Sequence, residues 1–328
     1  MDLHDACLRG NGIDVERALK NGTDVEATNS KGWTPLIAAA YYEHDAAVKV
    51  LLRYGSNVNA RTPNGSTALK VAAGEGYLPI ARMLLHGGAA VDIPGHDYYT
   101  PLLLASKNDH TAVVKLLMDY KPRVNARSRE GITALGFACR LGNLEMATIL
   151  LESGATVNVA HNDGWSPLMS AALGGHDNVV RLLLAWGADI NAKGPRQSTA
   201  LRIAADKGHL SIVQDLLDEG AWMDEPSDDG TTPLYIAAKQ GHGEIVQLLI
   251  NRGADPNRQS QTGCTPLIMT AMYNHVESLR ILLDTGADVD LQDSGGWTVL
   301  SMAYFSGYPE LVQLILERRP ASMVGPFL

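Results

Sequence analysis

The stretch GWTPLIAAA, Gly32–Ala40, returns as GWSPLMSAA at Gly164–Ala172 and as GWTVLSMAY at Gly296–Tyr304. Working outward from its leucine, Leu3, Leu36, Leu69, Leu102, Leu135, Leu168, Leu201, Leu234, Leu267 and Leu300 stand 33 residues apart, ten in a row. Self-similarity at a fixed period of this length is the mark of a stacked repeat architecture. Two residues before each of the last nine leucines stands a hydroxyl: Thr34, Thr67, Thr100, Thr133, Ser166, Thr199, Thr232, Thr265 and Thr298. A hydroxyl there can accept an orphan backbone N–H of a helix start. Proline follows it at positions 35, 101, 167, 233 and 266, where its missing donor costs nothing. Small residues come next (Ala38–Ala40, Ala72–Ala73, Ala171–Ala172, Ala204–Ala205, Ala237–Ala238) and let helices approach closely. A second helix carries leucine pairs such as Leu51–Leu52 and Leu183–Leu184. It ends at a glycine (Gly55, Gly88, Gly154, Gly187, Gly220, Gly253, Gly286), the residue that adopts a left-handed stop most readily. A turn-rich stretch such as ADINAKGPRQS leads on to the next hydroxyl.

Composition sets bounds. A chain of 328 residues would ordinarily suggest about two domains. No apolar run approaches the roughly 18–20 residues that span a membrane, and MDLHDACLRGNG lacks the basic-then-apolar character of a secretion signal. A net charge of −9 without an acidic tail argues against a general nucleic-acid binder. Cys7, Cys139 and Cys264 are an odd set without paired spacing, as expected of free thiols in a reducing compartment. Asn21-Gly-Thr and Asn64-Gly-Ser match glycosylation triplets but read as Asn-Gly turns. The expected setting is cytoplasmic or nuclear.

Helix, turn, helix, hairpin-like loop: this unit closely resembles the ankyrin repeat, most clearly in GWTPLIAAAYYEHDAAVKVLLRYGSNVNA and GTTPLYIAAKQGHGEIVQLLINRGADPNR. The resemblance implies an all-α repeat solenoid of ankyrin helix-turn-helix units with β-hairpin loops, stacked into a curved superhelix. Its short inner helices would line a concave groove, and its loops would project as fingers. It covers residues 1–319 in ten units, about 1–28, 29–61, 62–94, 95–127, 128–160, 161–193, 194–226, 227–259, 260–292 and 293–319, with a tail at 320–328. One unit cannot bury its own apolar face, so stability comes from stacking. Tyr98 and Gln197 replace the turn glycine, and Lys121-Pro122 replaces the helix-ending Gly-Ala, which predicts local distortion at 95–99 and 120–123. The first unit opens directly on its helix, and Arg318, Arg319 and Pro320 close the last, so both ends read as caps. A chain cut from a longer protein would look the same.

Six histidines share one slot at the start of the second helix: His44, His110, His176, His209, His242 and His275. Zinc does not suit them. Two ligands of one ion sit about 3–4 Å apart, whereas residues one repeat apart are separated by about a helix diameter. The resemblance gives this histidine a structural role, bonding turn backbone between repeats, and His4 is equally scaffold-like. No phosphate-binding glycine loop, HExxH, G-x-S-x-G or CxxC is present. Cys7 and Cys139 fall in alanine slots inside the helix pairs and are expected to be buried and inert. No cofactor, metal site or catalytic residue is predicted.

Function must then be written in the variable slots. The resemblance implies that the exposed ones are the residue after the turn glycine and those one, five and six residues after the repeat leucine. The first slot reads Trp33, Ser66, Tyr99, Ile132, Trp165, Ser198, Thr231, Cys264, Trp297; it does not demand tryptophan, and large aromatics there are anchors for a partner. The alternative is that each ring packs on the neighbouring finger. The inner-helix slots add Tyr41, Tyr42, Leu141, Leu173, Tyr235, Met272, Tyr273 and Phe305. They also hold seven basic residues (Arg9, Lys70, Lys107, Arg140, Arg202, Lys207, Lys239) against Glu75 and Asp206. Acidic finger residues Asp97, Glu130, Asp163 and Asp229 partly offset that excess. The reading favoured by this pattern is a protein–protein interaction module, a monomer binding an extended acidic-apolar segment in its groove. Its contacts would be Trp33, Tyr41, Tyr42, Tyr99, Lys107, Arg140, Trp165, Arg202, Tyr235, Lys239, Tyr273 and Trp297, with neither nucleic acid nor membrane as partner. The alternative is an unusual enzyme or small-molecule binder built on Arg140, Arg202, Asp206, Tyr235 and Lys239 in the mid-arch groove. There Arg202 and Asp206, four residues apart on one helix, can pair. A third reading is an architectural arm of a larger protein.

Overall fold

The structure, a computed structural model, describes residues 2–318. Twenty α-helices alternate between inner helices of six to eight residues and outer helices of eight or nine. The chain divides between Asn162 and Asp163 into two compact units. In the first, the inner helices Leu3–Leu8, Pro35–Tyr41, Ala68–Glu75, Pro101–Lys107 and Ala134–Leu141 pack in sequence on one another and on their own outer helices. In the second, Pro167–Gly174, Ala200–Lys207, Pro233–Gln240, Pro266–Met272 and Val299–Phe305 do the same.

All nine predicted hydroxyl caps form. Thr67 Oγ1 accepts the Lys70 N–H at 3.1 Å, Thr232 accepts Tyr235 N–H at 3.2 Å, and Ser166 Oγ accepts Met169 N–H at 3.2 Å, with the same arrangement at each of the others. Each cap stabilises its helix by about 1 kcal/mol. The first nine repeat leucines are at most 2 % exposed; Leu300 is half-buried. Removing each such side chain from water contributes about 2 kcal/mol. The alanines behind them are fully buried, because the next inner helix lies directly against them.

Outer helices end as the glycines predict. The residue after the glycine donates its N–H to the carbonyl five residues back, as in Ser56 to Leu51 (3.1 Å), Ala221 to Leu216 (2.9 Å) and Ala254 to Leu249 (3.0 Å). The fourth pair departs here, but not by distorting its helices: Pro101–Lys107 and Thr111–Met118 form normally. Tyr98 and Lys121 simply adopt the left-handed backbone that glycine adopts elsewhere, with φ of 66° and 52°. Pro122 has no N–H to give Leu117, so that closing bond is missing. In the seventh unit, Arg196 and Gln197 take φ of 55° and 57° beside a short 3₁₀ turn at Pro195–Gln197.

The fingers are turns rather than strands; among the described residues there is no β-ladder. They are closed by backbone bonds such as Thr62 N–H to Ser66 O (2.9 Å) and Asp293 N–H to Trp297 O (3.0 Å). Neighbouring fingers are linked by bonds such as His96 N–H to Asn64 O and Gln261 N–H to Asp229 O. Two or three residues between turns leave too little extended backbone for a sheet.

The slot histidines bond backbone, as the resemblance implied. Nε2 contacts the carbonyl of Leu8 (His44, 2.9 Å), Gly74 (His110, 3.0 Å), Leu173 (His209, 3.4 Å), Asp206 (His242, 3.2 Å) and Lys239 (His275, 2.9 Å). His4 Nε2 reaches Ala27 O at 2.6 Å. Cys7, Cys139 and Cys264 are buried and unpaired. Burial pushes the Cys7 thiol up to about 12 and the Cys139 thiol higher still, so both stay protonated and unreactive.

The ends are not sealed by charge. Ile13 is 71 % exposed on the first outer helix, and Tyr304 is 79 % exposed in a slot that is Ala, Ser or Cys and fully buried in the inner helices before it. Arg318 caps the last helix and pairs with Asp284 at 2.6 Å. Arg319, Pro320 and the tail at 320–328 lie outside the described residues.

Candidate interaction surface

In three units the finger-slot residue lies against the residue eight further on, in the fifth slot of its own inner helix. The Trp33 and Tyr41 rings are 4.9 Å apart, and Trp297 and Phe305 are 5.0 Å apart. The Lys107 ammonium sits 4.7 Å over the Tyr99 ring. Trp33 and Trp297 therefore each pack on a residue of their own inner helix. Trp165 is half-buried with its N–H on Asp163, and the corresponding helix residue is the exposed Leu173.

In the first unit, Tyr41 and Tyr42 are each 43 % exposed and extend the Trp33 cluster edge to face, 5.1 Å apart. Further along, Tyr99 meets Phe137 at 6.1 Å, the Arg140 guanidinium lies 5.1 Å from the Phe137 ring, and Tyr99 Oη donates to Glu130 at 3.4 Å. Lys107 and Arg140 are exposed on adjacent inner helices, with their stems lying on rings and their charged heads at the surface. In the second unit, exposed Tyr273 stacks on His275 at 6.3 Å and carries Lys239 at 5.9 Å.

Four expectations need correction. Tyr235 is buried and offers no exposed contact; burial and the neighbouring Cys264 push its phenol up to about 12, away from acid–base use near neutrality. The slot one residue after the repeat leucine is generally core, because the next finger covers it. Lys70 is buried, and a Cβ on Gly95 of that finger would fall 2.1 Å from its Nζ; Met169 lies likewise under Gly194. The basic excess shrinks accordingly. Lys70 pairs with Asp97 at 2.6 Å and Lys207 with Asp206 at 3.1 Å, leaving Arg9, Lys107 and Arg140 exposed in the first unit. Finally, Arg202 does not pair with Asp206. It donates to Thr231 Oγ1 (2.9 Å) and Ser198 Oγ (3.4 Å), while Asp206 takes Gln240 and Lys207. These side chains hold fingers and helices together, which removes the constellation on which the small-molecule alternative rested.

Finger acids are similarly spent. Burial pushes the Asp229 carboxyl up, yet the Ser227 and Thr231 hydroxyls and the Thr231 N–H hold it at about 2. Asp97 is also raised by burial, but the Lys70 ammonium and the Tyr99 N–H bring it below the ordinary carboxylate range. Because its folded pKa is depressed, the stability it contributes is present above the unfolded value near 3.9 and is lost as pH falls through the folded one. Asp97→Ala strands the buried Lys70 ammonium and is expected to cost about 2–3 kcal/mol at pH 7, near the low end for a broken pair because Asp97 is half-exposed. Urea midpoints at pH 7 and below pH 4 should show the difference narrowing in acid. The double change Lys70→Met/Asp97→Ala should recover most of the loss; an equal or larger loss would mean the pair is not what Asp97 supplies.

Among the described residues, no group of three or more His, Cys, Asp or Glu side chains is placed to hold a metal ion, and no helix is long and apolar enough to cross a membrane. With the period, caps, histidine bonds and glycine stops in place, the chain also matches the family model for ankyrin repeats (3 copies) over residues 3–94, 102–194, 193–260 and 252–323. The chain belongs to the ankyrin repeat family. Comparison with curated proteins returned no match. Ankyrin repeats are generally protein–protein interaction modules and are typically non-enzymatic.

The sequence reading missed two exposed tryptophans, Trp186 and Trp222. They lie at the ends of outer helices rather than in the finger slot, at positions where no other unit carries tryptophan, and that was the available signal.

Proposed function

We propose that this ankyrin repeat chain binds an extended, acidic and partly apolar segment of a partner protein on its inner-helix and finger face, and performs no chemistry there. The observation that carries this reading is the Lys107/Tyr99/Phe137/Arg140 cluster of the first unit, where two cations lie on two packed rings at 4.7 and 5.1 Å. Held in place by the rings, these cations lose little freedom on meeting carboxylates, and exposed Tyr41 and Tyr42 offer apolar area on the same unit. In the second unit, Tyr273, Trp297 and Phe305 provide equivalent aromatic area.

The test is selection from a displayed random-peptide library, followed by titration of the selected peptides. Selected sequences should combine Asp or Glu with Leu, Phe or Trp. Lys107→Glu/Arg140→Glu should weaken them at least ten-fold, about 1.4 kcal/mol, and flatten the salt dependence. Selected peptides without acidic residues, or indifferent to the charge reversal, would overturn the reading.

A further inference from the structure

In the second unit, Trp186 and Trp222 are 44 % and 56 % exposed. Nothing in the scaffold asks for an indole at either position. The residue before the helix-ending glycine is Asn21, Tyr54, Gly87, Ser153, Glu219, Arg252 or Thr285 in other units, so the slot accepts a ring but does not require one, and the slot of Trp222 is Asp189 and Asp255 in the units on either side. Those two aspartates close their own loops by accepting the N–H two residues on, from Asn191 at 3.1 Å and Asn257 at 2.9 Å. Trp222 gives up that bond. Its backbone N–H goes to Asn191 Oδ1 at 2.8 Å, just as the Asp255 N–H goes to Asp224 and the Asp288 N–H to Asn257 in the units that follow, so each of these turns is bonded to the turn before it. Trp186 and Trp222 thus lie at the outer-helix ends of consecutive units, each with about half of its surface still in water.

Carboxylates outnumber cations on these turns. Asp189, Asp218, Glu219, Asp224, Glu225 and Asp255 surround these turns. Arg252 engages Asp218 at 2.7 Å and Lys193 engages Glu225. Glu219 is exposed and has no such partner, and Asp224 accepts the Asp255 N–H at 3.3 Å so that two carboxyls sit on one turn. Burial raises the Asp224 carboxyl and the Asp255 charge adds to it, against the Asp255 N–H and the Arg258 guanidinium, which lower it. Indole faces attract ammonium and guanidinium groups, and carboxylates at their margin reinforce that attraction while repelling phosphate.

We infer that this edge, carrying Trp186 and Trp222 among Asp189, Glu219, Asp224 and Asp255, is a second docking surface and takes a lysine- or arginine-rich segment of a partner protein. It shares no residue with the inner-helix and finger face and selects the opposite charge, so the two surfaces can be tested separately.

The probe is a fluorescently labelled eight-residue peptide of alternating arginine and glycine, titrated into the full chain at two salt concentrations. Trp186→Ala/Trp222→Ala, with helicity checked by circular dichroism, should weaken binding at least ten-fold, and Glu219→Lys several-fold. Glu277→Lys makes the same charge change at an exposed outer-helix site and should leave affinity unchanged, as should Lys107→Glu/Arg140→Glu. Equal weakening by Glu219→Lys and Glu277→Lys would show diffuse attraction to an acidic protein and overturn the inference. So would full affinity in the double tryptophan variant.

Discussion

Phe137→Ala is expected to destabilise the first unit by about 4 kcal/mol, within the range for emptying a buried aromatic site. Phe137 is 1 % exposed, and it is the floor on which Tyr99 and Arg140 rest, at 6.1 and 5.1 Å. The loss combines transfer of the ring with the cavity it leaves beneath Tyr99 and Arg140. The same substitution frees Arg140 and Tyr99, so binding of acidic peptides should weaken at temperatures where the chain remains folded. Phe137→Leu should cost much less, about 1 kcal/mol. Urea unfolding followed at 222 nm, together with peptide titration, checks both parts. A loss near 1 kcal/mol for Phe137→Ala would show that the neighbouring helices collapse into the space.

Gly241→Ala should cost about 3 kcal/mol, twice the cost of the chemically identical Gly253→Ala. Both glycines are left-handed, with φ of 78° and 95°, and an L-residue there costs about 1–2 kcal/mol. At Gly253 a new Cβ meets nothing within 4 Å, whereas at Gly241 it would lie 2.4 Å from His275 Nδ1. To make room the ring must leave the Lys239 carbonyl it contacts at 2.9 Å, losing a further bond of about 1 kcal/mol and part of the contact between stacked pairs. Repeat arrays need not unfold in one step, so the comparison is between midpoints of the transition that each substitution moves. Equal costs at the two glycines would mean that the histidine swings aside freely and is not the link between pairs.

The contrast between these glycines marks how far the sequence could be read. The 33-residue recurrence identified Gly253 as a left-handed stop, because a helix end needs that conformation whatever surrounds it, while Gly241, at the end of an inner helix, was not singled out. Which one carries a ring across its open face depended on the next pair. The caps, the buried leucines, the close alanines and the histidine slot were all legible for the same reason: each follows from local backbone demand repeated at a fixed period. The changes expected at 95–99 and 120–123 are confined to the backbone of Tyr98 and Lys121, which adopt φ of 66° and 52°, and to the closing bond that Pro122 cannot make; the helices of the fourth pair are regular.

The candidate site was legible in part. Trp33, Tyr41, Tyr42, Tyr99, Lys107, Arg140, Tyr273 and Trp297 reach the surface or half-reach it, while Tyr235 and Lys70 do not. A residue one step past the repeat leucine points toward a finger that belongs to the following unit, and exposure there is decided by chain 25 to 30 residues away. The pairing at a spacing of eight, which sets Trp33 on Tyr41 and Lys107 over Tyr99, arises from the return of the finger over its own helix. Sequence alone determined the repeat, the helices and their ends, since period-matched propensity and burial leave no competing arrangement. Tertiary structure alone decided which variable side chains are free to meet a partner, because hydrogen bonds and covering fingers spend charge and aromatic area that composition counts as available.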